Sequence, residues 1–146
     1  MAIFRFLDRL DASPFYDFWD FHSHEVPNAP GVYILASRGT THFTYPGGNS
    51  PIFYIGQSVS LRGRLREHLR YARQAKENRQ LPLYWPRYEY AAKFGARYCF
   101  IRTWQGIRPK ALEDIVLARF AKRYLSFPVA NGSGAWSRVS KEIGSV

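Results

Sequence analysis

Six side chains in this sequence have types and spacings that could do chemistry together. Tyr33 lies in Gly31-Val32-Tyr33-Ile34-Leu35 and Tyr54 in Phe53-Tyr54-Ile55-Gly56-Gln57. Arg64 falls ten residues after Tyr54, His68 four after Arg64, and Glu113 and Asn131 follow later. An arginine offers a planar fork that grips two phosphate oxygens and keeps its charge. Imidazole titrates near neutrality and can relay a proton. A phenol with a pKa near ~10 is a poor base unless a cation such as Arg64, or a metal, lowers that value. A glutamate is a hard ligand that suits Mg²⁺ or Mn²⁺. Phosphodiester cleavage needs such a set: a grip on phosphate, a cation for developing charge, a base for water and help for the leaving oxygen. Each residue also has a plainer reading. Strand tyrosines pack cores, Arg64 can pair with Glu67, Glu113 or its neighbour Asp114 can favour a helix dipole, and Asn131 before Gly132 can make a turn.

The elements that must position these groups are legible in part. Gly31–Ala36 and Pro51–Gly56 read as two strands of a hairpin, joined by a polar, glycine-bearing loop over Ser37–Ser50. From Gln57 to about Glu77 a helix is expected, capped by Ser58 or Ser60, with Leu61, Leu65, Leu69 and Ala72 as its buried stripe. Arg64 and His68 share a face of that helix, off the leucine stripe, with Glu67 and Tyr71 beside it. Ala96–Trp104 alternates as a third strand. Pro109 opens a second long helix whose buried stripe is Leu112, Ile115, Val116 and Phe120, with Glu113 and Asp114 in its first turn. Phe127-Pro128 ends it. Ser13-Pro14 marks a short N-terminal helix within an aromatic-rich stretch. Residues 78–94, rich in proline and tyrosine, take no clear assignment.

Charge is concentrated in the middle of the chain. The net charge is +10, and residues 61–110 carry 13 lysines and arginines against three glutamates, whereas residues 1–60 are slightly acidic. A basic stretch interleaved with aromatics is the footprint of a polyanion partner. Within it, Arg62, Arg66, Arg70 and Arg73 are expected to track a nucleic-acid backbone or simply to be solvated. At 146 residues and 46% apolar, the chain can bury one sizeable core without staples. Cys99, the one cysteine, is expected in that core and excludes an intramolecular disulfide. The start shows no signal-peptide pattern and no run is long enough to cross a bilayer, so a soluble, cytoplasmic protein is expected. His22-Ser23-His24 reads as surface, and Tyr71, Tyr84, Tyr88 and Tyr90 as packing tyrosines.

The ordered set of Gly31-x-Tyr33, Tyr54-Ile55-Gly56, Arg64, His68, Glu113 and Asn131 resembles the GIY-YIG nuclease family over about residues 30–132. Val32 stands where the family has Ile, a harmless exchange of β-branched residues. The 21 residues between Tyr33 and Tyr54 exceed the separation in many members, which makes Ser37–Ser50 an insertion. The resemblance implies an α+β fold, a small α/β sandwich with about three antiparallel strands flanked by helices. It also implies a domain over 30–146 behind an aromatic extension, 1–29, that packs on it. It further implies a divalent-metal-dependent endonuclease acting on DNA, double- or single-stranded. Tyr33 would activate water, Tyr54 would hold water or phosphate, Arg64 would clamp phosphate, and His68 would relay the proton. Glu113 would bind one Mg²⁺ or Mn²⁺ per site, and Asn131 would orient site groups. Specificity would come from the chain's own loops, chiefly 37–50 and 78–94, or from a homodimer. The rival reading is the same fold with dead chemistry, a nucleic-acid-binding module.

Overall fold

Gly31–Ala36 is an unbroken apolar run, and every residue of that strand (β2) is buried, so it must lie between two layers. The computed structural model, which describes residues 2–22, 25–77 and 86–131, places it so. β2 pairs antiparallel with Ile52–Ser58 (β5) on one side and Arg97–Arg102 (β6) on the other, with Tyr33 opposite both Gly56 and Phe100. Val32, Ile34, Ile55, Cys99 and Ile101 face one core, shared with the helix Pro109–Tyr124 (α3). Tyr33, Leu35, Phe53 and Tyr98 face the other, shared with Leu61–Glu77 (α1) and Pro86–Phe94 (α2). The fold is therefore α+β, as expected.

The sheet has four strands rather than three, because Tyr16–Asp17 (β1) joins the β6 edge. This overturns the helix expected after Pro14. Ser13, read as a helix cap, instead accepts a hydrogen bond from the Phe100 N–H at 2.9 Å and donates its own N–H to the Phe100 carbonyl. Tyr16 lies against Tyr98 and Phe100, so strand pairing and aromatic packing together outweigh the local helix signal. The helical turn near this terminus is a short 3-10 helix, Ala2–Leu7. Residues of the first 29 enter both cores: Phe6, Leu7 and Leu10 on the α3 side, Phe18 and Val26 on the α1 side.

The insertion is not a bare loop either. Phe43–Tyr45 (β3) and Gly48–Ser50 (β4) form a second, two-stranded sheet. Phe43 packs against Phe53, Tyr90 and Phe94, and the Tyr45 hydroxyl donates to the Ile52 carbonyl at 2.7 Å. Two aromatics at alternate positions anchor the hairpin on the body. Of the 78–94 stretch, 86–94 is α2, and 78–85 lies outside the described residues.

α1 begins at Leu61 rather than at Gln57 as expected, because Gln57 and Ser58 remain paired in β5; of the two expected caps, Ser60 serves. The Ser60 hydroxyl accepts the Gly63 N–H at 3.2 Å, and Leu61, Leu65, Leu69 and Ala72 are buried. In α3 the buried arc is Leu112, Val116, Leu117, Phe120, Ala121 and Tyr124. Ile115, expected in it, is 37% exposed, because it lies about 60° outside that arc on the helical wheel. No acid lies in the first turn of α3, so Glu113 and Asp114 sit one turn further in than expected. Among the described residues, no helix is long and apolar enough to cross a membrane. Cys99 is buried.

Gly31 shows why the first motif starts with glycine. A Cβ there would overlap the Ile101 backbone carbonyl oxygen and come within 2.6 Å of Leu61 Cδ1. Since backbone cannot give way cheaply, Gly31→Ala should cost about 1–3 kcal/mol, read as a lowered urea midpoint with an unchanged slope.

Candidate active site

The register between β2 and β5 sets the centre of the site. Tyr33 lies opposite Gly56, and its ring occupies the space that a side chain there would fill: a Cβ on Gly56 would stand 2.5 Å from Tyr33 Cζ. The glycine of Tyr54-Ile55-Gly56 is thus the slot into which the tyrosine of the first motif folds. Tyr54, next along the same face of β5, has its ring 6.0 Å from that of Tyr33.

α1 brings Arg64 and His68 to this ring. His68 does not lie off the leucine stripe, as expected, but is fully buried beside it. A position one residue before Leu69 and three after Leu65 falls at the border of the buried arc, and Tyr33 supplies the polar partner that makes burial tolerable. The Tyr33 hydroxyl and His68 Nε2 are 2.5 Å apart, and His68 Nδ1 is 2.8 Å from the Tyr88 hydroxyl. Arg64, half-buried at the rim, donates to Glu67 Oε1 at 2.8 Å and stands near enough to Tyr33 for its charge to favour the phenolate. It therefore keeps the plain ion pair with Glu67 and its place beside Tyr33 at once. Arg87, from α2, stacks over both Tyr54 (5.0 Å) and Tyr88 (4.9 Å).

Asn131 reaches the site through the backbone. Its amide accepts the Ile55 N–H at 3.1 Å and donates to the Ile55 carbonyl at 2.8 Å, while the Ala130 N–H bonds the Phe53 carbonyl. β5 is the outer strand of its sheet, so this clasp covers part of its free edge and fixes the residue between Tyr54 and Gly56. Glu113 arrives from the α3 layer, on the other face of the sheet. It lies in the second turn of α3, which packs on the core opposite to that of Tyr33. Glu113 is a half-buried hard carboxylate with Asp114 adjacent; among the described residues there is no group of three or more potential ligands. One carboxylate with water and phosphate oxygens filling the remaining positions is a set that Mg²⁺ accepts, so the residues fit such an ion.

No family model matches this chain, and neither a curated protein nor a solved structure matches it. What the site can do is therefore argued from its own geometry.

Burial dominates its electrostatics. Tyr33 is pushed well above the usual phenol range, by desolvation first and by Tyr54 second; Arg64 pulls the other way and loses. The expectation that Arg64 would leave Tyr33 acidified is thus reversed. His68 does not titrate near neutrality, as expected of a relay: desolvation, then the charges of Arg64 and Arg87, bring its pKa down to about 2. A histidine that cannot carry charge can still move a proton by exchanging tautomers. Nε2 faces the Tyr33 hydroxyl and Nδ1 the Tyr88 hydroxyl, which is the two-sided arrangement that such an exchange requires. This makes Tyr88 a positioning residue, although it reads from the sequence as packing. Neither Tyr88 nor Arg87 carries a motif: twenty residues separate Tyr88 from His68, and only α2 folding back on α1 joins them.

The four arginines expected on nucleic acid separate. Arg62 donates through Nε to the Val26 carbonyl at 2.8 Å and ties α1 to the N-terminal segment. Arg66, Arg70 and Arg73 project from the side of α1 roughly 200° away from Arg64 and His68. His22 pairs with Asp20 at the surface, and Ser23 and His24 lie outside the described residues. Tyr71 and Tyr90 pack on other aromatics, as read; Tyr84 lies outside the described residues.

The neutral, buried His68 gives a pH signature. Its folded pKa lies below the ordinary 6.5, so the unfolded chain takes up a proton that the folded one refuses. The stability due to His68 is complete above about pH 6.5 and falls below it by up to ~1.4 kcal/mol per pH unit. Urea midpoints at pH 7.5, 6 and 5 should fall more steeply for wild type than for His68→Gln; equal slopes would show that His68 is protonated in the folded protein.

Proposed function

We propose that this chain is a divalent-metal-dependent endonuclease of the GIY-YIG type that hydrolyses phosphodiester bonds in DNA, built on a GIY-YIG-like α/β sandwich and working in the cytoplasm. The observation that carries this reading is the seating of one tyrosine hydroxyl, Tyr33, between a guanidinium and an imidazole, with a second tyrosine alongside. A buried structural tyrosine needs only one hydrogen-bond partner, and a backbone carbonyl serves, as for Tyr45; an imidazole and a guanidinium beside the same hydroxyl exceed that need.

The residues divide the work as follows. Arg64 holds a phosphate oxygen with one arm of its fork while another steadies Tyr33. Tyr54, half-exposed at the mouth, orients the water or the phosphate. Tyr33 accepts the proton of the attacking water as its own proton passes to His68 Nε2; Nδ1 gives its proton to the Tyr88 oxygen, and Tyr88 releases its own hydroxyl proton to water. The high proton affinity of a buried phenol then works in favour of the step: once deprotonated, Tyr33 is a strong base. Its anion is steadied by Arg64 and by the new Nε2–H donor. Glu113 would hold the metal; a bound Mg²⁺ would supply charge stabilisation for the pentacoordinate phosphorus and the leaving oxygen. Asn131 keeps β5, and so Tyr54, in place.

Incubation of supercoiled plasmid, and separately of single-stranded DNA, with Mg²⁺, Mn²⁺ or EDTA tests this reading. Metal-dependent cutting is expected, lowered by about 10²-fold or more in Tyr33→Phe and in Glu113→Ala. Salt-sensitive binding without cutting in any metal would replace the enzyme by a binding module with the same fold.

A further inference from the structure

The side of α1 turned away from Arg64 and His68 borders an open groove of about 470 Å³. Its floor is Leu69, one wall is Phe21, and the other is the arginine row Arg66, Arg70 and Arg73; Glu77 marks its far end. The three arginines are four and three residues apart, so they form one row along the helix. None is paired with a carboxylate among the described residues, and all three are exposed. Phe21, partly buried, packs on Tyr98 with ring centroids 5.7 Å apart and still lines the groove, so its ring is positioned by the body of the protein. The backbone of the same N-terminal segment is tied to α1, because Arg73 donates to the Trp19 carbonyl and the Lys76 ammonium stands over the Trp19 ring.

We infer that this groove binds an unpaired stretch of a DNA strand, with a base stacked on Phe21 and successive phosphates on Arg66, Arg70 and Arg73. A row of exposed guanidiniums without carboxylate partners beside an aromatic ring is the arrangement that holds single strands; Arg70 also donates to the Tyr71 hydroxyl, and Arg73 to the Trp19 carbonyl. The groove has the volume of a small-molecule site, enough to admit a base. It lies across the helix from Tyr33, so it is a second contact, separate from the site of cleavage. The inference extends the nuclease reading by giving it a strand preference, but it does not require that cutting occur.

The test is fluorescence anisotropy in EDTA, with a labelled oligothymidylate of about twelve nucleotides and the same strand annealed to oligodeoxyadenylate. Wild type should bind the single strand more tightly than the duplex. Phe21→Leu, which keeps the apolar contact with Tyr98 but loses the stacking face, should weaken single-strand binding about tenfold. Arg66→Ala combined with Arg70→Ala should reduce the slope of log affinity against log salt by more than one. Unchanged binding in Phe21→Leu, an unchanged slope in the double variant, or equally good competition by polyglutamate of matched charge would overturn the inference. Single-strand binding without plasmid cutting would leave the groove standing and remove the nuclease. Cutting with a silent Phe21→Leu would do the reverse.

Discussion

The hydrogen bond between Tyr33 and His68 sits where water does not reach, and this constrains what surrounds it. A buried imidazole must find partners for both nitrogens or cost the protein the desolvation of an unsatisfied polar atom. Tyr33 serves one nitrogen and Tyr88 the other. Tyr33 can reach only because Gly56 leaves room for its ring, and Tyr88 only because α2 folds back over α1. Arg64 can stay charged beside this pair because it lies at the rim, half in water. A larger residue at position 56 or a shift of one residue in the β2–β5 register would dismantle all of these contacts at once.

What was legible in the sequence follows period and proximity. Leu61, Leu65, Leu69 and Ala72 repeat at helical spacing and β6 alternates, so the helix that delivers Arg64 and the third strand could be read directly, whereas the division of the interior into two cores could not. The clustering of Tyr33, Tyr54, Arg64 and His68 was legible for the same reason, since strand, strand and helix follow one another along the chain. The strand at Tyr16–Asp17 was not legible, because a two-residue strand has no period and Ser13-Pro14 is a sound local helix signal that tertiary pairing overrides. The hairpin in the insertion hid behind its glycines and its proline, while Phe43 and Tyr45, two residues apart, were its only mark.

The burial of His68 was missed for a different reason. Spacing puts residues on a face, but whether a borderline position is covered depends on what packs there, and α2 has little pattern of its own. The same gap hid Tyr88 and reversed the sign of the effect on Tyr33. An arginine neighbour is visible in sequence, whereas the desolvation that outweighs it is a property of the assembled layers. The basic segment likewise looked like one surface. On the helix it resolves into a rim arginine at the tyrosines, a structural tie to Val26, and a row facing the opposite way.

The Asn131 amide copies a peptide group, offering Ile55 the donor and acceptor that a neighbouring strand would have offered. Together with the Ala130 N–H on Phe53, it covers part of the outer edge of the sheet across 76 positions of chain. Contacts of that span form late, because the entropy of closing the loop is lost before the bonds repay it. During synthesis, then, Tyr33, Tyr54, Arg64 and His68 are all made well before the clasp that holds β5. The strand edge beside Tyr54 stays open to pairing with other chains until residue 131 has been added and has docked.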